Sequence, residues 1–327
     1  MENKVIKKLR VFGVPWHLGH QYELSKFPFV EWSWLLQYKR KYSKYIRTDF
    51  MKNWVTHYEP GKYDLAILHL DQQCIDKDLL DRGKASVYRH LNEVIKDIPK
   101  IVIQHGTPYY PEKFTKEYII SETKKLIGDN IMVTNSKTAA KQWGFGTPII
   151  HGLDPNEWYD LIKEPRIITV ISPAGLDKYY DRILLRSVRE YLEEQSIMMC
   201  HITVDVRMRD WDDYRKLLGS SLIYFNPTRE SPMPRSRTEA MLSGCCVITT
   251  PHQDADTFIE DGVNGLICKR NPEHIIRLIN WCLNNYDEAL EIGKRGKETA
   301  KKIFSMERYQ KDWENLMRQV IKDYNNK

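Results

Sequence analysis

The chain has 327 residues, 42% hydrophobic and 29% charged, with 50 Lys and Arg against 44 Asp and Glu. That length can bury two substantial cores, and the composition excludes a fibrous or low-complexity chain as well as any apolar run long enough to cross a bilayer. Six cysteines are scattered without Cys-x-x-Cys spacing and read as reduced thiols packed as small hydrophobes, which sets aside structural zinc and a disulfide framework.

The start, Met1 to Lys8, leads straight into a strand and lacks a signal-peptide core, so a cytoplasmic chain is expected. The net charge of +6 is uneven, with 24 Lys and Arg against 16 Asp and Glu in residues 1–150 and 26 against 28 in the rest. Lys8 to Pro15 is predicted as the first strand, followed by a polar turn, Trp16 to Gln21, at its carboxyl end. Such turns hold ligand sites in parallel sheets, which makes His17, Gly19 and His20 candidates, although the two histidines fit a plain loop equally well. Glu31 to Arg47 carries Trp34, Leu35, Tyr38, Tyr42 and Tyr45 on one side and Arg40, Lys44 and Arg47 on another, the pattern of a basic, aromatic-lined helix. That helix either packs its stripe on its own sheet or presents its cations to an anionic membrane surface or a nucleic-acid backbone.

Tyr63 to Leu70 is the next strand, Lys84 to Ile98 an amphipathic helix, and Lys100 to Gln104 a strand ending in His105-Gly106-Thr107-Pro108. A histidine at a strand end before glycine suits ligand contact better than packing. Asn130 to Thr134 is a further strand, with a helix capped at Asn135-Ser136-Lys137 behind it. Domains are cut near residue 152, giving 1–152 and 153–327. The second begins with the strand Arg166 to Ser172 and the turn Pro173 to Lys178, followed by the strand Met198 to Val206 and the helix Trp211 to Leu218.

The most informative stretch comes next. Ser221 to Phe225 reads as a buried strand, Pro227 to Pro234 as an irregular loop, and Thr238 to Leu242 as a helix stopped by Gly244 in the left-handed conformation, before a second apolar run from Cys245 to Thr250. The loop holds Glu230 and Glu239, Arg229, Arg235 and Arg237, and the amides of a helix start, which together suit an anionic, polyhydroxylated ligand such as a nucleotide sugar. Ile275, Ile276, Ile279, Cys282 and Leu283 form one face of a later helix, and Met306, Tyr309, Trp313, Leu316, Met317 and Val320 one face of the last. Asp254-Ala255-Asp256 matches a metal-binding Asp-x-Asp pattern but precedes a helix start, where the macrodipole alone favours carboxylates. No Gly-x-Gly-x-x-Gly or Walker motif is present, which removes the main support for a dehydrogenase or a kinase.

Glu239-Ala240-Met241-Leu242-Ser243-Gly244 resembles the donor-binding motif of retaining GT-B glycosyltransferases of family 4 (glycosyl transferases group 1). In that pattern seven residues separate two glutamates; here eight lie between Glu230 and Glu239. Asn135-Ser136-Lys137, the segment Ile149 to Trp158, and Asp261-Gly262-Val263-Asn264-Gly265 also resemble family segments in the right order, and His105-Gly106 resembles the turn that faces the transferred sugar. The resemblance implies an α/β chain of two Rossmann-like domains facing across a cleft (GT-B), with the last helix returning to the first domain. It also implies transfer of a sugar from a nucleotide-diphosphate sugar, a UDP-sugar among them, to an acceptor hydroxyl with retention, with no cofactor and no metal.

Under that resemblance His105 and Glu230 contact the sugar; Lys178, Arg182, Arg235, Arg237, Thr238 and Glu239 bind the donor; and His17, Gly19 and His20 face the acceptor. Pro173 stands where the family has an arginine. An envelope glycan or lipid-linked saccharide is the expected acceptor, with the basic first domain at an anionic acceptor or membrane surface, peripheral to the inner face. A hydroxymethylated base in DNA and a non-catalytic nucleotide-sugar-binding protein are the alternatives.

Overall fold

The computed structural model describes residues 7–36, 51–79, 83–110, 113–171, 179–203 and 210–327. The chain forms two compact units, Met1–His151 with Glu307–Lys327, and Gly152–Met306.

In the first unit, parallel strands lie in the order β3-β2-β1-β4-β5-β6-β7: β1 Leu9–Gly13, β2 Val30–Leu35, β3 Trp54–Val55, β4 Leu65–Leu70, β5 Lys100–Gln104, β6 Ile131–Thr134 and β7 Thr147–Pro148. The central strand β4 is buried along its whole length, as the near-continuous apolar run Leu-Ala-Ile-Leu-His-Leu requires of a strand covered on both faces. The crossovers include α1 (Leu18–Ser25), α2 (Gly83–Val94), α3 (Lys116–Ile127) and α4 (Lys137–Trp143). Thr115 caps α3 by accepting from Tyr118 N, and Ser136 caps α4 by accepting from Ala139 N at 2.9 Å. Phe12, Leu68, Val102, Ile119 and Trp143 form the core between sheet and helices. The last helix, α11 (Met306–Asn325), buries Tyr309, Trp313, Met317 and Val320, and the Tyr309 ring meets Phe27 edge-on at 5.4 Å.

Two expectations for this unit are corrected. Val30–Leu35 is a strand, parallel to β1 with Arg10 opposite Glu31, and not the start of a helix. Trp32 and Trp34 stand two residues apart, the strand period, and their rings stack at 4.7 Å on one buried face. Tyr38, Arg40, Tyr42, Lys44, Tyr45 and Arg47 lie outside the described residues. The turn expected at Trp16 to Gln21 is instead the beginning of α1, with His17 at its N-cap position.

In the second unit the order is β12-β11-β10-β8-β9, again parallel: β8 Glu164–Val170, β9 Met199–Ile202, β10 Ser221–Asn226, β11 Cys246–Thr249 and β12 Leu266–Ile267. Its helices include α5 (Arg182–Glu194), α6 (Trp211–Gly219), α7 (Arg235–Leu242), α8 (Ala255–Phe258), α9 (Pro272–Asn284) and α10 (Tyr286–Ile303). Leu184, Leu185, Val188 and Leu192 recur at helical spacing on α5 and pack with Ile167, Ile223, Phe225, Ile248 and Ile279. Gly244 ends α7 at φ +73°, the left-handed stop expected there. Among the described residues, no helix is long and apolar enough to cross a membrane.

Candidate functional site

Each sheet carries polar side chains at the carboxyl edge of its strands, where parallel α/β sheets bind ligands. In the first unit β1 lies between β2 and β4; the connection leaving β1 runs to β2 and the one leaving β4 runs the other way to β5, so the two diverge and open a crevice at the carboxyl ends of β1 and β4. The chain leaving β1 supplies Trp16, His17, His20 and Gln21, β4 supplies His69, and the end of β5 supplies His105. The Trp16 indole stacks on His69 at 5.7 Å and on His105 at 5.9 Å, and the rings of His17 and His20 stand edge-on to His105 at 4.8 and 5.5 Å. His69 Nδ1 lies 2.9 Å from His105 Nε2, and Gln21 Nε2 lies 3.2 Å from His69 Nε2.

His69, Gln21 and Trp16 are buried, whereas His105 and His20 are half-buried and His17 is exposed, so the cluster shows its outer histidines to solvent. Gly19 is buried within α1. A Cβ on Gly106 would lie 1.8 Å from Gln72 Oε1 and displace that side chain, and the Gly106 carbonyl accepts from Trp143 Nε1 at 3.0 Å. The structure thus brings His17, His20 and His105 together and adds His69 and Gln21, which sequence reasoning missed.

In the second unit, the segment before α5 is joined to the loop after β10. Arg229 N and Glu230 N donate to Tyr179 O at 2.8 and 3.0 Å, Asp181 N donates to Pro227 O at 2.9 Å, and Tyr180 bridges Thr228 in antiparallel fashion. Asp181 also caps α5 through Leu184 N at 3.0 Å. Arg182, at the first turn of α5, and Arg229 are exposed, and Glu230 is half-buried. Arg270 Nη2 donates to Thr228 O at 2.9 Å and Arg229 O at 3.3 Å, fixing the far side of the loop.

Helix α7 begins three residues earlier than expected, at Arg235. Ser236 Oγ accepts from Tyr224 OH at 2.7 Å and donates to Val170 O at 3.3 Å, which pins its first turn to β10 and β8. Pro234 occupies the N-cap and supplies no side-chain hydrogen bond. Glu239 is 1% exposed. Its Oε1 accepts from Arg235 Nε at 2.8 Å and its Oε2 from Tyr214 OH at 2.6 Å. A carboxylate accepts through two oxygens with about four lone-pair sites, which suits it to several donors. Tyr214 comes from α6, where it packs with Trp158 and Trp211; its role had no sequence signal beyond helical spacing.

Two residues expected at the donor are buried. Arg237 is fully buried, with its guanidinium 5.1 Å from the Phe258 ring and 3.5 Å from both Met233 Sδ and Thr249 Oγ1. Burial lowers its pKa to about 10, against the raising charges of Tyr224, Tyr180 and Asp254. Thr238 is likewise wholly buried. Lys178 and Pro173 lie outside the described residues. Asp254 is buried and Asp256 exposed, so the two carboxylates of the Asp-x-Asp stretch sit in different environments.

Residues 198–299 match the family model described as Glycosyl transferases group 1. An uncharacterized glycosyltransferase of Methanocaldococcus jannaschii, MJ1069, is 25% identical over 114 residues, which are 34% of this chain and 29% of that relative's length. Among solved structures, Anabaena HepE in complex with UDP and glucose superposes with a TM-score of 0.68 at 14% identity, over 95% of this chain and 100% of that one. Sucrose-phosphate synthase from Thermosynechococcus elongatus gives a TM-score of 0.67 at 11% identity, over 97% and 100%. These likenesses identify the fold, an α/β chain with two parallel sheets of the GT-B type.

Proposed function

We propose that the chain is a retaining glycosyltransferase that moves a sugar from a nucleotide-diphosphate sugar, with a UDP-sugar as the leading donor, to an acceptor hydroxyl without a metal. The observation that carries this reading is the buried Glu239 carboxylate, held by Arg235 and Tyr214 inside the segment that matches the group 1 model. Ribose hydroxyls would donate to this carboxylate, in a setting dry enough for charge-assisted hydrogen bonds to be strong. HepE and its bound UDP-glucose support the same donor class.

The diphosphate falls to Lys178, Arg182 and Arg229 and to the amides at the start of α7, and His105 and Glu230 contact the sugar. Cations and helix-start amides aimed at the departing diphosphate stabilise the negative charge that develops there as the glycosidic bond breaks. The basic excess of residues 1–150 makes an anionic acceptor environment the natural partner, and an envelope glycan or lipid-linked saccharide the leading acceptor. The membrane and DNA readings alike lose the two tryptophans at the head of the expected aromatic helix, because Trp32 and Trp34 are buried in β2.

Calorimetric titration of UDP into the wild type and Glu239→Gln tests the site. The variant is expected to bind about 1–3 kcal/mol more weakly, the range for losing hydrogen bonds to a charged group. Unchanged affinity would remove Glu239 from the donor site. Product stereochemistry by NMR and activity in EDTA test the chemistry; an inverted product, or loss of transfer in the chelator, would overturn retention or metal independence respectively.

A further inference from the structure

The histidines at the carboxyl edge of the first sheet form a hydrogen-bonded chain whose proton positions follow from one fixed end. Backbone N–H groups only donate. Trp16 N and His17 N both reach the same atom of Gln21, at 3.1 and 2.7 Å, so that atom is the carboxamide oxygen. The group turned toward His69 Nε2 at 3.2 Å is then the NH2, a donor. His69 Nε2 accepts, and in the neutral ring its proton sits on Nδ1, which donates to His105 Nε2 at 2.9 Å. The two ring centroids are 5.1 Å apart with planes inclined by 20°, so the imidazoles meet edge to edge nearly in one plane, as an N–H···N bond requires. With Nε2 accepting, the neutral His105 carries its proton on Nδ1.

We infer that Gln21 and His69 are positioning residues that hold His105 as the neutral Nδ1–H tautomer, which fixes the direction in which the ring's one N–H donates. The opposite arrangement defeats itself. A proton on His105 Nε2 requires His69 Nδ1 to accept and His69 Nε2 to donate, which sets an N–H against the Gln21 NH2. Turning the carboxamide over would strip this acceptor from Trp16 N and His17 N and set an NH2 against both amides, at a site where Gln21 is 0% and His69 2% exposed.

The indole of Trp16 covers both imidazoles. The titratable rings against His105 are His17 and His20 from the start of α1 and His69 from β4. A proton on any of them places like charge beside His105 and favours the same neutral form. The tautomer rests on the geometry of this unit alone.

Long-range 1H–15N correlation spectra of the full chain labelled with 15N-histidine, at neutral to slightly alkaline pH, read the tautomers directly. His69→Asn and His105→Asn assign the two rings by the signals they remove. The wild type is expected to show both rings neutral and protonated at Nδ1. In Gln21→Glu the carboxylate still accepts from both amides but offers only acceptors to His69, so His69 Nε2 is expected to gain a proton. A wild-type His69 protonated at Nε2 would overturn the inference, as would a folded Gln21→Glu in which His69 Nε2 stays unprotonated. If that variant does not fold, the wild-type spectrum still decides. No sugar enters these spectra, so their failure leaves the transferase reading standing, and absence of UDP binding leaves the tautomers standing.

Discussion

His252 follows β11 at the carboxyl edge of the second sheet, and its imidazole Nε2 is buried without a hydrogen-bond partner among the described residues. Burial first, and then the positive charges of Arg270 and Arg237, push its pKa down to about 3. An unfolded histidine titrates near pH ~6.5. Between those values the unfolded chain binds a proton that the folded chain does not, so stability is at its full level above the unfolded pKa and falls as the pH drops below it. At pH ~5 the loss is about 2 kcal/mol, and it barely changes for any folded value below ~4, because the unfolded pKa sets the onset. For a unit of the size of Gly152–Met306 that is roughly 4–8 °C in Tm. Replacing His252 with Gln removes this titration while leaving the other histidines in place. Scanning calorimetry of both proteins at pH ~7 and ~5 should show the wild-type transition of the second unit falling roughly 4–8 °C further than the variant's. Any constant effect of the substitution cancels in that comparison. Equal falls would refute the reasoning.

Two further outcomes follow from the same unit. Lys163 is 7% exposed, and its Nζ donates to Gly219 O at 2.5 Å and to Ser243 O, at the carboxyl ends of α6 and α7, while pairing with Asp160 at 3.2 Å. Lys163→Met leaves both carbonyls and part of the Asp160 charge uncompensated and should cost about 3–5 kcal/mol in denaturant unfolding; a loss under ~1 kcal/mol would show that the carbonyls find other partners. Gly244→Ala meets both a φ of +73° and an Asp160 Oδ1 only 2.6 Å from the new Cβ, so a Tm drop corresponding to about 1–3 kcal/mol is expected, and an unchanged Tm would mean that the turn relaxes freely.

The elements that were legible are those whose signal is local. Strand β5 was read at its observed limits, the Ser136 cap and the Gly244 stop carried their own chemistry, and the buried run of β10 had few other readings. The residues that were missed act through contacts between elements far apart in the chain. His69 meets His105 across 36 residues and Gln21 across 48, and Tyr214 meets Glu239 across 25; no window of sequence contains either partnership. The burial of Lys163 had no signal in the sequence, because its partners include backbone carbonyls, which leave no trace in side-chain identity. At Glu31 to Arg47 the tyrosines supplied a helical stripe that drew Trp34 into it, although Trp32 and Trp34 are spaced as a strand.

The extra residue between Glu230 and Glu239 has a physical place in this frame. Upstream, Arg229 N and Glu230 N are fixed on Tyr179 O, and Arg270 holds the carbonyls of Thr228 and Arg229. Downstream, Ser236 ties the first turn of α7 to Tyr224 and Val170, and Arg235 ties it to Glu239. With both ends anchored to the strands, added chain length can be taken up only in Ser231 to Pro234. There Pro232, Met233 and Pro234 are buried, and Met233 Sδ accepts from the buried Arg237 at 3.5 Å. Two prolines restrict the backbone of that kink, and a flexible thioether fills the space beside the guanidinium. Arg237 therefore supports the loop from beneath, and Glu230 and Glu239 each keep their own anchor despite the longer spacing.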